Sequence, residues 1–589
     1  MEESRMSPFR RIASIAFICT ASAASAFALT RAQSTPVASL NQGWDAATRH
    51  RYYYESQGTR FIPAAILEAL RTPSGQRFMA PANMRRLGFI VDEDRSDPAN
   101  PYNWPVGFAI DRDQATGMAM AGFTCAACHT AQITYRGASF RVDGGQAGVD
   151  INEFRTEMRQ ALLYSTKSPI RKLRFARETE KLGLTRAQLK AVLAEMQRNA
   201  AANEMSPEFA LRSTPTGPGR LDALNAIGST VFGLDLGVPQ NAKAATAPVD
   251  FPYLWDITRF DWVQYNASLR QPMERNVGEA LGVGVQTHFI EAQGKLNPEP
   301  LRWKSSVRIK SLYWMENALS TLQPPVWNSA FGQIDRAKAA RGRALFTTNC
   351  AMCHGVQVIE GTKPVEWHMT VLPLDRIGTD PNQATDFARN TYDATKLGLG
   401  RAVHANVGLG YVVTRVKHQA YRDAGIPQSQ WATYDGRESN EFPAPCGYKA
   451  RPLVGVWATG PFLHNGSVPT VYDMLSETRP SHFWFGSREL EPQKLGFAQT
   501  SAPGTLLFDS SLTGNSNAGH WFSNDRTRRG RIGRALSDIE KYEIIEYLKA
   551  ATYADYPTRT VGRPGPLPCE NDPNWAMAIQ RETSNAPSR

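Results

Sequence analysis

The sequence predicts a mainly α protein of two domains, with long irregular loops and small β-hairpins between the helices. Three observations carry this. The pattern Cys-x-x-Cys-His is written twice, at Cys125 to His129 and at Cys350 to His354. A capped helical pattern runs into the second copy, and another closes the segment that follows it. The stretches between are long and contain Gly and Pro, which punctuate helices rather than extend them.

With seven Cys and ten His in 589 residues, only about 0.001 accidental copies of the pattern are expected. Two thiols at this spacing can each form a thioether to a haem vinyl group, while the adjacent His supplies the proximal imidazole. The pattern therefore predicts two covalently bound haem c groups, attached at Cys125, Cys128, Cys350 and Cys353, with His129 and His354 as iron ligands. Each domain is thus a cytochrome c-type haem domain. A structural zinc would need four ligands per site, and a redox pair of cysteines would leave the His idle in both copies.

Haem c is attached outside the bacterial cytoplasm, and residues 1–32 read as a cleaved signal peptide. Arg5, Arg10 and Arg11 precede an apolar run from Ile12 to Leu29, with small residues from Ala26 to Ala32 as cleavage points. The expected location is the periplasm. Cys19 leaves with the signal, so Cys446 and Cys569 remain as a disulfide in an oxidising compartment; two free thiols are the alternative. No later apolar run reaches the length of a membrane span. The divisions that follow are an N-terminal haem c domain with an extended insertion (33–334), a C-terminal cytochrome c domain (335–555) and a Pro-rich tail (556–589).

In the first domain, ITYRGASFRVDGG reads as a hairpin. Asp150 with Glu153 opens a helix to about Tyr164, and a second helix runs from Thr185 to Asn199. From RSTPTGPGRLDALN to PVWNSAFGQ the chain reads as irregular, and beyond the paired motifs no repeat of fixed period is apparent. In the second domain, Asp335 caps a helix whose Ala339, Gly342, Ala344, Leu345 and Phe346 lead into Cys350. Ser537 and Glu540 form a capping box for a closing helix with Ile539, Tyr542, Ile545 and Leu548 on one face. Gly342 lets the two helices cross closely.

A haem iron with protein ligands on both faces mainly passes electrons, whereas an open face can react. For the second motif, His520 in GNSNAGHWF lies in the loop before the closing helix, where cytochrome c domains usually carry the distal ligand. His464 in TGPFLHNGSVPT and His368, beside Met369, are competitors; His464 is placed at the haem edge, hydrogen-bonding a propionate or backbone. For the first motif, no His occurs between His129 and His288. That leaves Met158, Met273, the upstream His50, or an open face.

The formal charge of +11 is offset in part by four haem propionates, and no dense Lys/Arg block or reader motif points to nucleic acid. A moderately basic surface suits an acidic electron donor.

The paired motifs, together with ARPLVGVWATGPFLHNGSVPTVYDML, resemble the bacterial dihaem cytochrome c peroxidase superfamily. YYYESQGTRFIP, IGTDP and GNSNAGH are most similar to its rubber-oxygenase-like branch, which stands beside the branch that matures methylamine dehydrogenase. The resemblance implies that peroxide or dioxygen reacts at the N-terminal haem and that the C-terminal haem relays electrons from a small periplasmic cytochrome or cupredoxin. It also admits a calcium ion between the domains. Conventional members place a distal His soon after the first motif, and this sequence does not. Trp262 is a candidate for the family's aromatic bridge between haems; the alternative is a core tryptophan. Arg275 and Glu279 are candidates for a distal pair, the carboxylate moving a peroxide proton and the guanidinium stabilising charge; the alternative is a helix start with surface charges. The leading expectation is peroxide reduction. A dihaem oxygenase cleaving an unsaturated substrate and a non-enzymatic electron carrier are the alternatives.

Overall fold

The helix entering the second motif, Arg336–Asn349, begins at Asp335, whose carboxylate accepts from the backbone N–H of Ala337 and Lys338. The closing helix, Asp538–Ala550, carries the Ser537/Glu540 capping box. A Cβ at Gly342 would lie 1.9 Å from the carbonyl oxygen of Glu543, so only glycine lets these helices cross backbone to backbone. The buried face of the closing helix differs from the expected one: Ile544, Ile545, Tyr547 and Leu548 are inside, whereas Ile539 and Tyr542 are exposed. Each three-residue step falls about 60° short of a full turn, so the three steps from Ile539 to Leu548 sweep from solvent to core.

This computed structural model describes residues 37–92, 97–202, 212–291, 293–360, 363–439, 442–559 and Cys569. The signal segment 1–32 and most of the Pro-rich tail lie outside them. From Val37 onward the chain packs as one unit. Helix accounts for 39% and strand for 17% of the chain, so the content is mixed rather than mainly α. Apart from the expected hairpin in ITYRGASFRVDGG, most strands come from segments that read as loops, and the sheets have only two or three strands. Among the described residues no helix is long and apolar enough to cross a membrane.

The first hairpin pairs Thr130–Tyr135 with Ala138–Asp143. Its turn residues Arg136 and Gly137 both have positive φ, 51° and 83°, the backbone that a two-residue hairpin favours. The helix Ile151–Thr166 is capped by Asp150, which accepts from Glu153 N–H, and Arg186–Ala202 follows. Between them Pro169–Lys181, capped by Ser168, is a further helix that buries only Phe175 and Thr179. So little apolar periodicity hides it from a pattern search.

The stretch expected to be irregular holds the helices Pro272–Val283 and Ile309–Leu319, and it is one half of a repeat. Residues 250–272 and 449–471, offset by 199 positions, share a series of backbone turns, differing at the cis bond Gly460–Pro461, which Asp261–Trp262 lacks. Both contain a 3-10 turn, at Ile257–Arg259 and Val456–Ala458. Both have left-handed residues at matching places: Asp256 and Gly455, Gln264 and Leu463, Ala267 and Gly466. Both close a small loop, Val263 to Leu269 and Phe462 to Val468, and both end in a helix cap, Gln271 and Thr470. The copies bond crosswise, Asp250 N–H donating to His464 O and Lys449 N–H to Tyr265 O, each at 2.9 Å. The helix after the first copy runs twelve residues, that after the second only four, Val471–Met474.

Cys446 and Cys569 form the expected disulfide across 123 positions. Closing so long a loop restricts the unfolded chain strongly. Replacing both cysteines by serine is expected to cost about 2–5 kcal/mol, measured by denaturant unfolding.

Candidate functional site

The two motifs reach the same turn by different routes. Cys125 opens a 3-10 turn capped by Thr124, whereas Cys350 ends a helix. In both, the His N–H donates to the carbonyl of the first Cys, at 3.0 Å for His129 and 3.1 Å for His354. Each motif faces its own cavity, of about 1570 Å³ at the first and 1560 Å³ at the second, counting the open mouths.

His129 Nδ1 lies 2.7 Å from Pro252 O, and His354 Nδ1 lies 2.8 Å from Arg451 O. Pro252 and Arg451 are matching positions of the repeat. A carbonyl can only accept, so Nδ1 carries the proton and Nε2 keeps its lone pair for a metal. Burial pushes His129 down to about 4 and also lowers His354, which keeps both rings neutral. Burial pushes the thiols of Cys125, Cys128 and Cys350 up to about 12, so without a bound group they are protonated rather than reactive thiolates. Among the described residues no group of three or more His, Cys, Asp or Glu side chains could hold a bare metal ion. Paired thiols and a neutral imidazole on a largely apolar cavity fit a covalently attached haem at each motif.

Across the second cavity stands His520. Its ring centre is 6.1 Å from that of His354, and two imidazoles bonded to one metal at about 2.0–2.1 Å each have centres roughly 6 Å apart. His520 has φ 51°, and a Cβ on neighbouring Gly519 would lie 2.3 Å from the carbonyl carbon of Gly378. This close approach fixes the loop. Burial, with His354 and Arg479 adding to it, pushes His520 down to about 3. His464 also lines this cavity, but as a wall: its ring stacks on Tyr448 with centres 3.9 Å apart and bonds to the Asp380 backbone. His368 is bound to Asp261 at 2.7 Å and, like Met369, lines neither cavity.

In the first cavity, among the described residues, no His or Met besides His129 forms part of the lining. Met158 and Met273 are absent from it, and His50 pairs with Asp97 at 2.7 Å. Glu279 and Arg275 both line it, carried on the helix Pro272–Val283. Gln264, which the sequence reading missed, donates from Nε2 to Glu279 Oε1 at 3.0 Å. Glu279 is exposed to the cavity, yet desolvation by the surrounding protein raises its carboxyl above its ordinary pKa, outweighing the opposing pull of Arg275. Arg275 is less free than expected, being ion-paired with Glu316 and bonded to Asn276.

The repeat relates the two linings residue by residue. Val263, Tyr265, Leu254 and Ile257 of the first match Phe462, His464, Leu453 and Val456 of the second. The matches change chemistry where Gln264 faces Leu463, Arg275 faces Met474 and Asn276 faces Leu475. The first cavity also takes Leu409 and Val413 from the helix Ala405–Asp423, far along the chain. Trp262 is half-buried and lines neither cavity. The residues lining both are Asp250, Phe251, Pro252, Tyr265, Lys449 and Arg451.

Residues 339–413 match the cytochrome c family, and residues 447–484 match the family described as RoxA-like, cytochrome c-like. Such domains carry covalently bound haem c and serve haem-based electron transfer or oxidoreductase chemistry. The second motif and the second copy of the repeat lie within these matches. Among similar proteins, "Uncharacterized protein y4iJ" of Sinorhizobium fredii is 37% identical over 567 residues, covering 87% of this chain and 92% of its own. "Uncharacterized protein y4iM" of the same organism is 28% identical over 348 residues, covering 55% of this chain and 71% of its own. With near full-length similarity to y4iJ, the chain belongs to the same family as y4iJ, and within it residues 339–413 and 447–484 carry the cytochrome c and RoxA-like matches.

Proposed function

We propose that the protein is a periplasmic dihaem c-type oxidoreductase of cytochrome c peroxidase type, exported by the segment 1–32. Hydrogen peroxide is reduced at the first cavity, and electrons from a small cytochrome or cupredoxin enter through the second. One observation carries this reading: the repeated segment presents Gln264 and Arg275 to the first cavity, where the longer helix adds Glu279, but Leu463 and Met474 to the second, where His520 fills the far side.

When bound, haem supplies a redox-active iron that relays electrons if both faces carry protein ligands and reacts if one face is open. His354 and His520 present ring nitrogens from opposite sides, which suits a relay. At the first cavity His129 has no His or Met opposite it. Reduction of one peroxide to two waters consumes two electrons and two protons. Glu279 takes the proton from one peroxide oxygen and returns it to the other as the O–O bond breaks, and its raised pKa makes it a stronger base than an ordinary carboxylate. Gln264 holds the carboxylate in place, and Arg275 keeps positive charge beside it.

A second reading, an oxygenase acting on an unsaturated hydrocarbon, is favoured by the apolar end of the same cavity, where Ile227, Phe387, Leu409, Val413 and Phe442 meet. Turnover of purified holoprotein separates the two. Peroxide-dependent oxidation of a reduced cytochrome, without oxygen uptake on polyisoprene, is expected. Oxygen uptake on polyisoprene without peroxide turnover supports the oxygenase, and the absence of both leaves an electron carrier.

A further inference from the structure

We propose that Lys449 and Arg451 form a cationic clamp shared by the two sites, binding haem carboxylates from both cavities and coupling their reduction potentials. The inference rests on the reading that each cavity holds one haem c.

Among the described residues lining both cavities, Lys449 and Arg451 are the only cations. Arg451 connects the sites physically. Its carbonyl orients His354 at 2.8 Å, while its guanidinium stacks at 3.5 Å on the ring of Tyr253 and donates to Tyr253 O at 2.5 Å. Tyr253 adjoins Pro252, whose carbonyl orients His129. The residue that positions one iron ligand therefore sends its charge toward the other. Arg451 Nε is buried without a hydrogen-bond partner.

Lys449 is tied down by its backbone bond to Tyr265 O, yet among the described residues no hydrogen bond or ion pair reaches its ammonium. The carboxylates whose charge it feels are engaged elsewhere: Asp261 with His368 and Met369 N–H, Glu279 with Gln264. Burial, reinforced by Arg451 and Arg275, holds Lys449 well below its ordinary pKa. The charged form of Lys449, beside Arg451 and Arg275, needs a counter-charge in this setting, and haem propionates would supply it. The charge is peculiar to the second copy of the repeat, since Asp250 and Pro252 occupy the matching positions. Burial raises the Asp250 carboxyl above its ordinary pKa, opposed by the nearby Arg220.

The test is a redox titration of the exported holoprotein, following each haem by its absorption and electron paramagnetic resonance signals and counting haem per chain. Removing a cation disfavours the added electron nearby, so Lys449→Met and Arg451→Gln are each expected to lower both midpoint potentials, while Arg451→Lys stays near wild type. Should Arg451→Gln lose haem, Lys449→Met alone decides. Two haems per chain with one potential shifted, or neither, overturns the clamp and leaves the dihaem reading intact. One haem per chain overturns both. A paired shift in a protein without peroxide turnover supports the clamp and counts against the peroxidase reading.

Discussion

Replacing His520 by alanine is expected to remove the low-spin signal of one haem per chain while leaving the other unchanged. The neutral, buried ring stands across the cavity from His354, so its loss opens one face of that iron. Peroxide turnover should fall by at least the roughly 10–100-fold that loss of an outer-shell metal partner costs, because electrons then reach the first cavity through an altered relay. Absorption and electron paramagnetic resonance spectra check the first effect and steady-state rates the second. A surviving low-spin signal would pass the ligand role to His464, despite its stacking on Tyr448.

Glu279→Gln is expected to reduce peroxide turnover by about 10²–10⁴-fold, the usual worth of a positioned acid–base group. Haem content and spin states should be unchanged, since Gln fills the same space and retains a partner for Gln264. The pH profile supplies a second readout. Glu279 must be ionised to accept the first proton, and its pKa is raised, so wild-type activity should climb as pH rises through a value above the ordinary carboxylate range. That limb should vanish in the variant. If the variant keeps both rate and profile, the proton moves elsewhere.

The parts legible in the sequence are those written in adjacent residues. The motif cysteines and histidines, the Asp335 and Ser537 caps, the hairpin turn at Arg136-Gly137 and the cysteine count behind the disulfide each depend on a few neighbouring side chains. The His520 position followed from chain order alone. Trp262 shows the opposite case: an aromatic in a plausible segment lies in neither cavity, and Tyr265, three residues on, faces both. The repeat escaped notice because only Leu254/Leu453, Asn266/Asn465 and Ser268/Ser467 are identical across its copies. What it preserves is backbone shape, which many side chains satisfy. Gln264, Lys449 and Arg451 could be found only by placing those copies side by side. The helix Ala405–Asp423 was hidden by Gly408 and Gly410, whose missing side chains make room for Phe232 and Phe442.

The central claim is that one fold motif builds a closed relay site and an open reactive site in the same chain. Electron paramagnetic resonance of the oxidised holoprotein, quantified against haem content, tests it most directly. One high-spin and one low-spin haem per chain, with only the high-spin signal responding to peroxide, is the predicted result. Two low-spin haems that ignore peroxide would contradict it.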